Sequence, residues 1–328
     1  MKNDIVRLLK EKNDFISGED ISNMLGVSRA AIWKHVKSLR EEGYEIESFS
    51  RKGYRLIQSP DILSQNKISK YLGTSIIARE MIYFDTISST NTKAKEMADK
   101  GAEDGTVIIS EEQKGGRGRF GREWTSPKHK GIWMSIILRP HVNPNDISIV
   151  TQVAAASVVE AGLEMGFDFY VKWPNDIIMN DKKVCGILTE MSGELNHINY
   201  VVLGIGVNVN QDIDDFPDDL RERASSVKIE SGKYVSRQEL CAKILNHFET
   251  LYDSFLRDKK GIRAITICRE KSILIGKDVR VMRGNDTFDA KVLDLNSAGE
   301  LVVRKKDGAE ERLFSGEVSV RGKKGYVI

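Results

Sequence analysis

One ten-residue stretch constrains this chain more than any other: Gly115-Gly116-Arg117-Gly118-Arg119-Phe120-Gly121-Arg122-Glu123-Trp124. Its four glycines and three arginines gain nothing in a hydrophobic core, and glycine loses the most backbone freedom on ordering. The stretch makes sense as a loop that becomes ordered around an anion, with backbone N–H groups and guanidinium forks closing on phosphate or carboxylate oxygens. Gly116 to Gly121 also fits the dinucleotide pattern GxGxxG. That pattern requires a strand before it, a helix opening on it and small residues between its glycines. Here Arg117, Arg119 and Phe120 fill the gaps, and Trp124-Thr125-Ser126-Pro127 does not begin a helix.

At 328 residues the chain has room for two or three domains. A net charge of +2 excludes a polycation, so any nucleic-acid contact must come from a local basic face. Cys185, Cys241 and Cys268 are too few and too scattered for a disulfide framework or a zinc cluster, which points to a reducing compartment. The first residues carry no apolar signal region, and no run approaches the roughly 18–20 apolar residues of a membrane span. The expectation is a cytoplasmic protein with no membrane partner. The five histidines (His35, His129, His141, His197, His247) show no ligand spacing, and no catalytic or metal role is assigned to them.

The pattern predicts an α+β multidomain chain in three segments: 1–62, 63–272 and 273–328. In the first, Ile5, Leu8 and Leu9 recur at helical spacing; Ser17 with Asp20 resembles a capping box before Ile21, Met24 and Leu25. Gly26 breaks that helix, Ser28 can cap the next, and Ile32, Val36 and Leu39 give it a buried face. Gly43 ends it, and a hairpin turns at Arg51-Lys52-Gly53. Two helices joined by a glycine turn, then a β-wing, is winged helix-turn-helix architecture. Ser28, Arg29, Ala30, Trp33, Lys34 and Lys37 fall on or beside the outer face of the second helix, with Arg51, Lys52 and Arg55 on the wing. Basic charge thus sits where phosphates would lie, although Glu41, Glu42, Glu45 and Glu47 cancel it in the sum. A small dimerisation or capping domain with a solvated charged face would read the same way.

The middle segment mixes strands (81–84, 106–110, 133–138, 169–172, 177–179, 183–190, 200–209) with helices after Ser88-Ser89-Thr90-Asn91, over 147–165 and from Ser236 to about Phe255. Several strands follow one another without a helix, which favours a mixed or mainly antiparallel sheet. The last segment is all β. Val279 and Val281, then Phe288, Ala290 and Val292, then Leu301 and Val303, then Leu313, Val318 and Val320 mark short strands. Turns at Gly284-Asn285-Asp286, Asn296-Ser297-Ala298-Gly299 and Asp307-Gly308 separate them, and an SH3-like β-barrel fits the spacing.

Four polar clusters stand out in the middle segment. Ser88-Ser89-Thr90-Asn91 reads as a helix cap with spare hydroxyls or as a ligand wall. Gln113 precedes the glycine–arginine loop. Lys172-Trp173-Pro174-Asn175-Asp176 is an aromatic–proline turn at a strand end, structural or functional. Lys182-Lys183-Val184-Cys185-Gly186-Ile187 places a lysine just before an apolar strand, where a solvated lysine is the ordinary reading. Acidic residues Asp212, Asp214, Asp215, Asp218 and Asp219 read as a mobile solvated loop rather than a metal site.

Together these clusters resemble the biotin–protein ligase family. Gly116 to Trp124 is a close match, and Lys172-Trp173-Pro174-Asn175-Asp176 and Gly204-Ile205-Gly206-Val207-Asn208 follow in the family's order. The resemblance covers essentially the whole chain, and the winged helix makes it similar to the bifunctional members that also repress biotin genes. It implies two steps: biotin and ATP, with Mg²⁺, form biotinyl-5′-adenylate, and biotin then passes to a lysine of a biotin carboxyl carrier protein. It implies Lys183 and Arg119 as the catalytic cations. Ser89, Thr90, Asn91, Gln113, Gly116, Arg117, Gly118, Arg119, Lys183 and Gly186 would hold biotin. Arg117, Arg119, Arg122, Trp124, Asn175 and Asn208 would hold ATP or the adenylate, and Asp176 would be the nearest protein carboxylate to Mg²⁺. It further implies operator DNA as a partner and a homodimer promoted by biotinyl-5′-adenylate as corepressor.

Three other readings stay open at this stage. A lipoate or octanoate ligase shares the scaffold class and a key lysine. A ligand-sensing transcription factor could retain a dead ligase domain, although neither Lys183 nor the arginine loop is lost. A monofunctional ligase could keep a winged helix that no longer binds DNA.

Overall fold

The computed structural model describes residues 1–41, 43–194, 197–284, 286–315 and 318–322. Two compact units emerge, Met1–Ile62 and Leu63–Ile328. Glu42 and the turn residue Asn285, both named above, lie outside the described residues.

The first unit folds as its sequence pattern implies. Helix α1 (Lys2–Lys12) buries Ile5, Val6 and Leu9 against α2 (Gly18–Leu25) and α3 (Arg29–Glu41). Ser17 caps α2 by accepting from Asp20 N–H at 3.0 Å. Gly26 ends that helix in the left-handed conformation, φ 65°, which costs a residue without Cβ nothing. Met24, counted above in the apolar stripe, is 63% exposed; Ile21 alone of that helix is fully buried. Ser28 Oγ accepts from Ala31 N–H at 3.3 Å, and Ile32, Val36 and Leu39 of α3 close the core. Strands β1 (Glu45–Phe49) and β2 (Gly53–Gln58) pair antiparallel as the wing.

The second unit begins with α4 (Gln65–Ile68), β3 (Met81–Phe84), α5 (Thr90–Asp99), β4 (Val107–Ser110), β5 (Gly131–Leu138) and α6 (Ser148–Glu164). It continues through β6 (Tyr170–Lys172), β7 (Asp176–Met179), β8 (Lys182–Glu194) and β9 (His197–Asn208) to α7 (Val227–Ser231), α8 (Arg237–Asp258) and α9 (Ile262–Glu270). The seven strands form one sheet in the order β3-β4-β5-β9-β8-β7-β6, parallel only between β3 and β4. Its mixed, mainly antiparallel character follows from the direct strand-to-strand connections along β6 to β9. Helix α5 covers one face with Ala94 and Ala98; α6, backed by α8 and α9, covers the other.

Helix α6 is apolar on nearly every side. The segment Pro144–Glu164 has the length and hydropathy of a membrane span, beyond what the sequence reading allowed, but 78% of its window is buried inside this unit as a core helix. Strands β10 (Asp278–Arg283), β11 (Asp286–Leu295), β12 (Leu301–Lys305), β13 (Glu310–Leu313) and β14 (Val318–Gly322) form a separate antiparallel sheet ordered β13-β12-β11-β10-β14. This is the module read above as an SH3-like barrel. Its core residues Val279, Val281, Val292 and Val303 join the main hydrophobic cluster.

The contact between α6 and the sheet gives a test of packing. A Cβ built on Gly162 would lie 2.3 Å from Cδ2 of Phe169, a ring that is itself 1% exposed and unable to retreat. Alanine normally improves a helix interior by roughly 1 kcal/mol over glycine. Overpacking reverses the sign here: Gly162→Ala should cost about 1–3 kcal/mol and lower the thermal midpoint by several degrees. Leu163→Ala, at a 56% exposed position in the same helix, should be close to neutral. A Gly162→Ala midpoint at or above wild type would refute the packing argument.

Candidate functional site

A cavity of about 960 Å³ opens over the face of the sheet at β5, β9 and β8. The size suits a nucleotide and a second small molecule side by side. Its floor is bare sheet. Gly204 and Gly206 point to one face of β9, and Gly186 of β8 pairs with Gly206. A Cβ on Gly206 would lie 2.7 Å from Nε1 of Trp124, and one on Gly186 would lie 2.8 Å from the same indole. A Cβ on Gly204 would meet Asn91 Oδ1 at 2.2 Å. The missing side chains are thus what allow the loop's tryptophan and the Asn91 amide to reach the sheet.

The glycine–arginine loop forms a tight hairpin held by its own backbone. Gly118 N–H donates to Arg122 O at 2.7 Å and Trp124 N–H to Gly116 O at 2.9 Å, with Phe120 and Gly121 both left-handed at the tip. The Trp124 ring sits edge-on to Trp133, and Lys183 Nζ lies 5.1 Å from its centroid. The indole N–H is buried, and among the described residues nothing accepts from it. Arg119 donates to Asn175 Oδ1 at 2.9 Å and to Ser315 O at 2.5 Å, so the loop is fastened to both the β6–β7 turn and the C-terminal sheet.

One wall is a polar chain. Ser89 caps α5 through Thr92 N–H, so the structural reading of that hydroxyl holds. Thr90 N–H donates to Gln113 Oε1 at 2.8 Å, Gln113 Nε2 to Ser126 Oγ at 2.9 Å, and Ser135 Oγ to Asn91 Oδ1 at 2.6 Å. Asn91 in turn donates to Glu190 at 2.8 Å. These groups can both give and accept hydrogen bonds, which suits a cyclic urea or amide.

The opposite wall is cationic. Lys183 Nζ is 2.5 Å from Asp176 Oδ1. Lys172, only 3% exposed, stands opposite Asp176 in the β6–β7 register. Burial pulls its amine down to about 7; Asp176 opposes this, while Lys183, Arg321 and Arg122 add to it. Burial likewise lowers Arg119, against the pull of Asp176. Burial pushes the Cys185 thiol behind the floor up.

Ser89, Thr90, Asn91, Gln113, Arg117, Gly118, Arg119, Arg122, Trp124, Asn175, Lys183 and Gly186 all line the cavity. Gly116 and Asn208 do not. Gly116 lies beneath the loop, where its Cβ would be 2.4 Å from Trp124 O. Asn208 is 4% exposed and spends its amide on Ser225 O and Gln211. Sequence reasoning missed Lys172 as a wall residue, Gly204 and Gly206 as the floor, Glu222 and Arg223 at one rim and Arg321 at the other. Glycines at alternate strand positions, i and i+2, were the available signal for the floor.

The acidic segment is solvated, with Asp214 and Asp218 each 90% exposed, but it is tethered. Asp212 bridges Lys130 (2.8 Å) and Lys228 (2.7 Å), Arg221 contacts Asp218 (2.8 Å), and two 3₁₀ turns form. Among the described residues no group of three His, Cys, Asp or Glu could hold a metal. In the first unit Arg29, Ala30, Trp33, Lys34 and Lys37 are exposed on α3, and Ser28, Arg51 and Lys52 are exposed beside it and at the wing tip. Arg55 is instead half-buried against Glu47 and the Phe15 ring.

Lys172 makes the cavity's charge testable. In the fold its amine titrates at about 7; in the unfolded chain a lysine titrates near 10.4. Between those values the unfolded chain holds the extra proton, so this group makes stability rise with pH; below about pH 7 both states hold it and the burial penalty is complete. Lys172→Met, similar in volume and uncharged, should therefore raise the thermal midpoint more at pH 6 than at pH 9. Equal shifts at the two pH values would contradict the assignment.

Residues 83–208 match the Biotin/lipoate A/B protein ligase family, residues 2–55 an HTH domain and residues 274–321 the Biotin protein ligase C terminal domain. The chain is 40% identical over 324 residues to the Bifunctional ligase/repressor BirA of Bacillus spizizenii, covering 98% of each, and 28% identical over 318 residues to that of Escherichia coli, covering 95% of each. Among solved structures it is similar to the biotin protein ligase from Aquifex aeolicus in complex with biotin and ATP, with a TM-score of 0.66 and 26% identity over 75% of this chain and 100% of that one. A winged helix, a cationic cavity on bare sheet and an antiparallel C-terminal module, matched along nearly the full length, place this chain in the family of bifunctional biotin–protein ligase/repressors.

Proposed function

We propose that this protein joins biotin to a lysine of a biotin carboxyl carrier protein at the expense of ATP, and represses biotin genes through its winged helix. The observation that carries the enzymatic reading is the cavity itself, with a wall of hydrogen-bonding side chains and a cluster of fixed cations over a glycine floor. In the first step a carboxylate oxygen of biotin attacks the α-phosphorus of ATP, the Pα–O–Pβ bond breaks, and pyrophosphate leaves. Two anions must meet, so fixed cations aimed at the developing charge are the main requirement. Lys183 and Arg119 fill that role, with Arg117 and Arg122 on the same loop. In the second step the acceptor amine attacks the mixed anhydride; a C–N bond forms, the C–O bond to phosphate breaks, and AMP leaves.

Ser89, Thr90, Asn91 and Gln113 suit the ureido ring. Trp124 offers an apolar wall and its N–H, and Asn175 suits phosphate or ribose. Mg²⁺ enters with the ATP phosphates and their water. The chemistry is tested by mass spectrometry of a carrier domain incubated with the protein, biotin, ATP and Mg²⁺. One biotin on one lysine is expected, slowed by on the order of 10²–10³-fold in Lys183→Ala. No transfer by the intact protein would sink the ligase reading.

The repressor reading rests on the exposed basic helix and wing. Biotinyl-5′-adenylate would promote a homodimer, and a two-fold dimer supplies two winged helices to a palindromic operator. Sedimentation should show a tighter dimer with biotin and ATP than without. Lys37→Ala should weaken operator binding across sequences and reduce its salt slope by about one. An unchanged dimer constant would break the corepressor link, and a flat salt dependence would favour a monofunctional ligase. Such an enzyme is expected in the cytoplasm.

A further inference from the structure

A buried ion pair stands behind the loop, away from the cavity wall. Arg237, the first residue of α8, and Glu111, just past the end of β4, are both 0% exposed. Arg237 donates to Glu111 Oε2 at 2.8 Å and to Gly131 O at 2.9 Å. Leu63 N–H, from the first residue of the second unit, donates to Glu111 Oε1 at 2.7 Å. His129 Nδ1 lies 3.1 Å from Glu111 Oε2; a carboxylate can only accept, so Nδ1 carries the hydrogen. His129 N–H also donates to Glu111 O at 3.3 Å, and this residue is held left-handed at φ 60°.

The placement matters because these groups sit at both roots of the loop. Glu111 precedes Gln113 on the way out; His129 and Gly131 bring the chain back into β5. One carboxylate therefore ties the outgoing strand, the returning strand and the N-terminus of α8 together. Burial alone would push the Glu111 carboxyl up, but His129, Arg237 and the Leu63 N–H hold it below an ordinary glutamate. Stability does not require such an arrangement, since apolar residues of similar volume commonly replace a buried ion pair without loss. What an ion network with several directional bonds adds is position.

We propose that Glu111, oriented by Arg237 and His129, is a positioning residue for ligand binding: it fixes the spacing and direction of both loop roots so that Gln113 and the arginines face the cavity. The proposal rests on the reading that this loop binds biotin and the adenylate. Nothing in it requires Glu111 to touch a substrate.

The test uses the full-length protein with biotin varied at saturating ATP and acceptor. Variants are Glu111→Gln, Arg237→Lys, the double variant Glu111→Gln/Arg237→Met, and Arg117→Ala as a marker of the loop. Glu111→Gln should raise KM for biotin about tenfold or more and also lower kcat, because the loop it misplaces carries Arg119 as well as Gln113. Arg237→Lys, which keeps the cation, should stay nearer wild type. The double variant should recover the thermal midpoint lost in Glu111→Gln and retain the raised KM. Recovery of both would show that the pair serves stability alone and overturn the proposal, as would an unchanged KM in Glu111→Gln. If Arg117→Ala also leaves KM unchanged, the loop reading itself has failed; if only Arg117→Ala raises it, the loop binds but the positioning role is lost.

Discussion

The site depends on an absence of side chains. At Gly186, Gly204 and Gly206 the sheet presents bare backbone, and the Trp124 indole and the Asn91 amide come closer to it than any Cβ would permit. From that contact follow the position of the loop hairpin, the placement of Lys183 near the indole, and the alignment of the Gln113–Thr90–Ser135 chain along the wall. A methyl group at Gly186 or Gly206 would press on the Trp124 indole and lift the loop, and one at Gly204 would push Asn91 away. Hydrogen bonds and cation contacts aimed at a reacting phosphate lose much of their effect when displaced by about an ångström. The glycines of the loop and those of the floor thus have different jobs. In the loop, Gly121 provides a left-handed tip; in the floor, the glycines provide room.

Much of this was legible from local pattern. Alternating and continuous apolar runs such as Ile132–Leu138 and Val201–Val207 gave the strands, and glycine punctuation with Ser17 and Ser236 caps gave the helix starts. Helix α9 was not read because Gly261 precedes it with no side-chain cap, and its apolar face is short (Ala264, Ile265, Cys268). The extension of β8 to Glu194 was missed because its outer part is solvated and lacks an alternating apolar face. In the site, the motifs marked the right neighbourhood, but partners remote in sequence were invisible. The acidic run looked free because Lys130 lies 82 residues from Asp212. Asn208 looked like a ligand group because nothing local showed that Ser225 and Gln211 had already taken its amide. Lys172 stood in a cluster already marked as structural or functional, but its burial is a property of the packed fold and was not visible in the sequence.

The remaining problem is how so many cations share one cavity before any anion arrives. Two unit charges about 4 Å apart at an effective dielectric near 20 interact by about 4 kcal/mol, comparable to a sizeable fraction of a domain's stability. The structure answers in two ways. Asp176 serves several cations at once, directly for Lys183 and through its field for Arg119 and Lys172. Lys172, the most deeply buried of these amines, titrates near neutrality, so it can give up its charge while the cavity is empty of anions. An incoming phosphate then competes with Asp176 for cations that are already oriented and partly desolvated, and it favours the charged form of Lys172. Binding of a polyanion would relieve a repulsion that the fold has already accepted, which is the electrostatic counterpart of the bare floor: both leave in place, before the ligand comes, the cost that its arrival removes.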